Sequence, residues 1–117
     1  MSKVIIAGGR DFNDWNLVLE TVIKFYAAGE YIDVVVSGCA KGADALGEKL
    51  AVLIEKPVKK FPADWIRYGK GAGHIRNRQM ANYADTLIAF WDGKSTGTKN
   101  MIDEATELEL DVIVVRY

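Results

Sequence analysis

The sequence predicts a three-layer α/β/α sandwich around a parallel sheet of five strands, and three observations carry that prediction. Short apolar runs rich in Val and Ile alternate with segments of helical period along the chain, the pattern of stacked strand–helix–strand units. Three of these runs open directly into glycine-bearing loops: Gly8-Gly9-Arg10-Asp11-Phe12, Ser37-Gly38-Cys39-Ala40-Lys41-Gly42-Ala43-Asp44 and Trp91-Asp92-Gly93-Lys94-Ser95-Thr96-Gly97-Thr98. No Pro/Ser-rich linker, low-complexity tract or repeat interrupts the alternation, and 117 residues, half of them apolar, suit one domain with a single core.

Lys3 to Ala7 is the first strand. The first helix runs from Trp15 to Ala28, with Leu17, Val18, Val22, Ile23 and Phe25 at apolar positions, Asp14 as N-cap and Gly29 as stop. Asp33 to Ser37 is the second strand, and its unbroken Val34-Val35-Val36 suits a strand covered on both faces. The second helix spans Gly42 to Ile54 and ends before Pro57. Val58 to Phe61 is a short third strand whose Lys59 and Lys60 discourage further pairing, so it belongs at an edge. A long connection, Pro62 to Gly73, precedes a helix from His74 to Tyr83. The fourth strand is Asp85 to Phe90, the helix after it covers Gly97 to Leu108, and Asp111 to Arg116 is the fifth strand.

Right-handed crossovers leave two plausible strand orders, 2-1-3-4-5 and 3-2-1-4-5. The charged third strand favours 3-2-1-4-5, the order of a Rossmann-like half. Strands one and four then flank the point where the order reverses, and ligands bind there, outside the carboxyl ends of the strands. Gly8 to Asp11 therefore faces Trp91 to Thr98.

Composition narrows the partners. Fifteen basic and sixteen acidic residues leave a formal charge of −1 and a pI near 5.8, which disfavours a broad nucleic-acid-binding face. Met1-Ser2-Lys3 leads straight into the first strand, and no apolar run approaches a membrane span, so a soluble cytoplasmic protein is expected. The single cysteine, Cys39, has no internal disulfide partner and reads as a small residue filling a tight loop. Pairing it as a nucleophile with the only histidine, His74, is the weaker reading.

The loops carry the chemistry. Gly8 and Gly9 let a ligand approach main-chain N–H groups with no Cβ in the way, and Arg10 adds a planar, permanently charged fork for phosphate or carboxylate. The bland alternative is a tight turn with a solvated arginine. Gly38 and Gly42 bracket the start of a helix whose free N–H groups attract anions, with Ser37 and Lys41 beside them. This is not a Walker A loop, because Ala43-Asp44 follows Gly42 where Lys-Ser or Lys-Thr would be needed. Asp44 either caps the backbone or holds a ribose hydroxyl. In the long connection, Trp65 or Tyr68 offers a stacking platform for a base. Arg76 and Arg78 fall on different helix faces, so one enters a pocket while the other is solvated. Trp91, Asp92, Gly93, Lys94, Ser95 and Gly97 surround another helix start, where Thr98 reads first as a capping residue. Asp11, Asp44 and Asp92 show no metal-ligand spacing, and neither metal nor cofactor is implied.

Gly8-Gly9-Arg10-Asp11-Phe12, Gly42-Ala43-Asp44, Phe61-Pro62-Ala63-Asp64-Trp65, Gly73 with Arg76-Asn77, and Ala89 to Thr98 occur in order along the chain. The arrangement resembles the YspA-like branch of the SLOG superfamily, small Rossmannoid domains related to YpsA. That superfamily also contains the Lonely Guy phosphoribohydrolases and the DNA-processing protein DprA. The resemblance implies a nucleotide or nucleotide-derived ligand, held by the glycine loops, Asp11, Trp65, Arg76 and Asn77, and it is compatible with a homo-oligomer.

Similarity to the Lonely Guy enzymes is partial. Arg76, Met80, Ala84-Asp85 and Gly97-Thr98 match their pattern in order, but Trp91-Asp92-Gly93 replaces a proline-glycine-glycine turn. Lys99-Asn100-Met101 stands where their acidic residues follow Gly-Thr. Asp92 is then the best-placed catalytic carboxylate, since Asp103 and Glu104 lie at least a helical turn further on. The expectation is a protein that binds a nucleotide derivative; the alternative is an N-glycosidase acting on a nucleoside monophosphate or related nucleotide.

Overall fold

The computed structural model describes residues 1–117. Along the chain run β1 (Lys3–Gly8), α1 (Trp15–Ala27), β2 (Val34–Ser37), α2 (Ala43–Leu53), β3 (Val58–Lys60), α3 (Trp65–Tyr68), a 3₁₀ turn over Gly69–Gly71, α4 (Ala72–Tyr83), β4 (Thr86–Trp91), α5 (Thr96–Glu107) and β5 (Asp111–Arg116). The five strands form one sheet in the order β3-β2-β1-β4-β5, and each neighbouring pair is parallel.

Alternation along β1 builds the three layers. Val4 and Ile6 point into a cluster with Val18, Phe25, Leu50 and Ile88 beneath α1 and α2, whereas Ile5 and Ala7 join Met80, Leu87, Met101 and Ala105 beneath α4 and α5. A strand that is apolar at every position is buried on both faces, and β2, β1 and β4 occupy the middle of the sheet accordingly. β3 keeps Lys59 and Lys60 exposed at one edge, and β5 mixes exposed and half-buried residues at the other.

The helix starts follow local chemistry. Asp14 caps α1 by accepting from the Leu17 amide at 3.0 Å. Asp33 and Asp85, expected to begin β2 and β4, stand just before them instead. Their carboxylates accept from the Ser2 and Lys3 amides at 2.7 and 2.9 Å and tie down the amino-terminal end of β1.

The connection after β3 differs most from the sequence reading. It contains α3 and the 3₁₀ turn, and α4 begins at Ala72 rather than His74. Asp64 caps α3 through the Arg67 amide at 3.0 Å, yet no residue of α3 is buried. A four-residue helix that buries none of its side chains is too short to leave a period in the sequence. No helix is long and apolar enough to cross a membrane.

Candidate functional site

The carboxyl ends of β1 and β4 open into a cleft of about 500 Å³. The end of β1 and its loop supply Ala7 to Asp11, the loop after β2 supplies Ala40, the first turn of α2 supplies Asp44, and the start of α5 supplies Ser95 to Thr98. α4 contributes Gly73, Arg76, Asn77 and Met80, which are neighbours on one helix face. Trp65, Lys70 and His74 form the outer rim, and Met101 lies among the lining residues as well.

Arg76 is the best-anchored charge in the cleft. Its Nη1 donates to the Gly38 carbonyl and its Nε to Asn77 Oδ1 at 3.0 Å. Asn77, only 5 % exposed, is held in turn by donating to Asn100 Oδ1 at 3.0 Å and the Gly97 carbonyl at 3.4 Å. A chain of hydrogen bonds thus ties the loop after β2 to the start of α5 through α4. Burial lowers the Arg76 pKa from its ordinary value, Asp44 and Cys39 oppose that shift, and Arg10 reinforces it. A guanidinium stays charged at neutral pH regardless. Neither Arg10 nor Arg76 forms an ion pair.

Asp44 is 6 % exposed, and its Oδ2 accepts from the Ala40 amide at 3.0 Å. Burial raises its pKa above the usual carboxylate value, outweighing the Ala40 hydrogen bond and the attraction of Arg76 and Arg10. At the other wall, Ser95 rather than Thr98 is the N-cap of α5, its Oγ accepting from the Thr98 amide at 3.3 Å. The Thr96 and Gly97 amides remain as orphan donors with no protein partner.

A second hollow of about 440 Å³ adjoins the first, lined by Arg10, Gly38 to Lys41, Pro62, Ala63, Trp65 and Arg76. Gly42 explains why the two loops meet so closely. It adopts φ +75°, and a Cβ there would run into the Gly9 carbonyl and the Arg10 backbone, while the Ala43 amide donates to the Gly9 carbonyl at 3.2 Å.

Of the residues singled out from sequence, Gly8, Gly9, Arg10, Asp11, Asp44, Trp65, Arg76, Asn77, Ser95, Gly97 and Thr98 line the main cleft. Gly38 and Lys41 line the adjoining hollow. Ser37 is fully buried, donating to Glu48 Oε2 at 2.7 Å and accepting from the Cys39 amide at 3.1 Å, so it braces the loop from behind.

Trp91, Asp92, Gly93 and Lys94 lie outside both hollows. Asp92 Oδ1 accepts from the Ser95 and Lys94 amides, each at 2.8 Å, and those two bonds hold its carboxyl below the usual range. Trp91 donates from its indole to the Ser95 carbonyl at 3.1 Å and carries the Arg116 guanidinium over its ring. These residues shape the loop that presents α5. The carboxylates lining the main cleft are Asp11 and Asp44 instead.

Cys39 does not fill an interior space. It is exposed with φ +63°. Arg78 points away from the cleft, its Nη1 reaching Glu104 at 2.8 Å and Glu107 at 3.3 Å on α5.

Sequence reasoning missed Ala7, Ala40, Lys70, Gly73, His74, Met80, Thr96 and Met101 as lining residues. Gly73 and Met80 were legible by spacing, since they stand three before and four after Arg76 on one helix. Tyr117, whose hydroxyl donates to Asp11 Oδ1 at 3.4 Å and whose ring packs on Phe12, left no such signal.

Sheet order and reversal point define a Rossmann-like domain, and its cleft is rich in unpaired donors. A model of the YspA, cpYpsA-related SLOG family matches residues 2–68, and the chain belongs to that family. It is 34% identical over 119 residues to the Gene 61 protein of Mycobacterium phage D29, covering 97% of this chain and 95% of that protein. Among solved structures it resembles DNA processing protein A (DprA) from Streptococcus pneumoniae with a TM-score of 0.77 and 20% identity. All of this chain is covered there, but it spans only 51% of the DprA chain. Fold and family together make this a SLOG-type, Rossmann-like domain.

Proposed function

We propose that this protein binds a nucleotide-derived small molecule, sensing or sequestering it, with phosphate held by Arg10, Arg76 and the Thr96 and Gly97 amides. One observation carries the reading: two guanidiniums without carboxylate partners line the same cleft as the orphan amides of a helix start. Half-exposed Trp65 at the rim supplies an aromatic surface for a base. Hydrogen bonds between charged partners contribute about 1.5–3 kcal/mol each, so Arg76→Ala should weaken binding roughly 10- to 100-fold.

The test is thermal shift with mononucleotides, nucleotide sugars and a single-stranded oligonucleotide, followed by calorimetry on wild type, Arg10→Ala and Arg76→Ala. A small-molecule nucleotide should raise the melting temperature of wild type and lose affinity in both variants. The proposal is overturned if no nucleotide binds, or if the oligonucleotide binds more tightly than every free nucleotide. The second outcome would make nucleic acid the ligand, in keeping with a fold shared with a DNA processing protein.

Hydrolysis of the ligand is the second reading, and Asp44 is the observation that favours it. A buried carboxyl with a raised pKa in the cleft suits a general acid in N-glycosidic cleavage. Release of free base that is lost in Asp44→Asn and kept in Asp92→Ala would establish this assignment. Loss in Asp92→Ala alone would return the role to Asp92.

A further inference from the structure

The two hollows at the carboxyl edge share four lining residues: Arg10, Ala40, Trp65 and Arg76. They are chambers of one groove, and the shared residues form its waist. Each chamber has its own character. The first is walled by the glycine loop after β1, the face of α4 and the start of α5, whereas the second is walled by the Gly38 to Lys41 backbone, Pro62 and Ala63.

The waist is where positive charge concentrates. Arg76 is tethered through Nη1 and Nε, which leaves its Nη2 without a partner at a set position. Arg10 is exposed and unpaired. Both line the two chambers alike, and Arg10 adds to the lowering of the Arg76 pKa. Two cations lining the same waist, neither in an ion pair, favour an anion with more than one charge. A phosphate at the end of a ligand seated in the first chamber would reach the waist and leave the second chamber empty. A diphosphate joining two groups would fill both.

We infer that the groove takes a diphosphate-linked, two-part ligand, a nucleoside diphosphate carrying a second sugar or nucleoside, with the diphosphate at the Arg10–Arg76 waist and one substituent in each chamber. This rests on the nucleotide-binding reading and deepens it. Trp65, 51 % exposed, lines both chambers and is available to either substituent.

Cys39 gives the test without a mutation. It is the only cysteine, it is exposed, and it lines the second chamber alone. ADP-ribose, ADP and AMP serve as probes, with calorimetry for affinity and the rate of Cys39 modification by an aromatic disulfide reagent for occupancy of the second chamber. ADP-ribose should bind at least about tenfold more tightly than ADP and slow thiol modification several-fold, while saturating ADP leaves that rate unchanged. Ala63→Trp, which fills the second chamber, should remove the ADP-ribose advantage and keep the ADP affinity. Lys41→Glu, an exposed change at the same chamber, should weaken ADP-ribose relative to ADP. ADP binding as tightly as ADP-ribose, or protecting Cys39 equally, overturns the two-chamber assignment while leaving nucleotide binding standing. Failure of all three probes together with every nucleotide of the thermal-shift panel refutes both readings.

Discussion

Replacing Gly42 by alanine tests the contact on which the groove is built. At φ +75° an L-residue with a Cβ costs about 1–2 kcal/mol in backbone energy. The added Cβ would also meet the Gly9 carbonyl and approach the Arg10 carbonyl carbon and oxygen at 2.7 Å. Backbone cannot swing aside as a side-chain tip does, so the loops after β1 and β2 must separate. The Ala43 amide bond to the Gly9 carbonyl is lost with that movement, at about 1 kcal/mol more. Gly42→Ala should therefore destabilise by about 2–4 kcal/mol, or roughly 8–16 °C in melting temperature for a domain of this size. Gly29 provides the control. It has φ +89° and no heavy atom within 4 Å of an added Cβ, so Gly29→Ala carries only the backbone cost. Urea unfolding followed by far-UV circular dichroism gives both values by linear extrapolation. If Gly42→Ala costs no more than Gly29→Ala, the loops are not held by close approach, and the geometry of the waist loses its support.

Three further outcomes follow from the same contacts. Asn77→Ala leaves the Arg76 Nε, Asn100 Oδ1 and the Gly97 carbonyl short of a partner; it should cost about 1–3 kcal/mol in urea unfolding, and an unchanged midpoint would contradict the network. Asp44 has a folded pKa above its ordinary 3.8, so its contribution to stability is greatest below that value and is lost as pH rises through the folded pKa. Asp44→Asn should therefore gain stability relative to wild type as pH climbs from 3.8 towards neutrality, and a pH-independent difference between the two would refute the assignment. Arg78→Ala removes surface pairs to Glu104 and Glu107 and should leave nucleotide affinity as in wild type, whereas a loss comparable to that of Arg76→Ala would mean the helix faces have been misassigned.

Strands and long helices were legible because their residues answer to local rules. Val34-Val35-Val36 announces a strand buried on both faces, and Lys59-Lys60 announces an edge. The second of those signals was enough to choose 3-2-1-4-5 over 2-1-3-4-5. α3 escaped because Trp65, Ile66, Arg67 and Tyr68 bury nothing, so no apolar period marks them. Asp92 shows the limit at the site. Its place in a glycine-bearing loop after a strand made it a natural candidate for chemistry, yet its carboxylate turns back on the Lys94 and Ser95 amides. A loop sequence announces that donors and carboxylates are present, and only packing decides which way each one faces.

The sequence alone determined the alternation of elements, the strand order and the edge of the sheet at which the glycine loops gather, because periodicity, charge and turn residues act over neighbouring positions. Tertiary structure decided that Arg76 rather than Arg78 enters the cleft, that Asp44 rather than Asp92 is the buried carboxyl there, and that Arg10 and Arg76 form a waist between two chambers. Those outcomes depend on contacts between residues far apart in the chain, such as Arg76 with Gly38 and Gly42 with Gly9. Such contacts exist only once the sheet has brought its loops together.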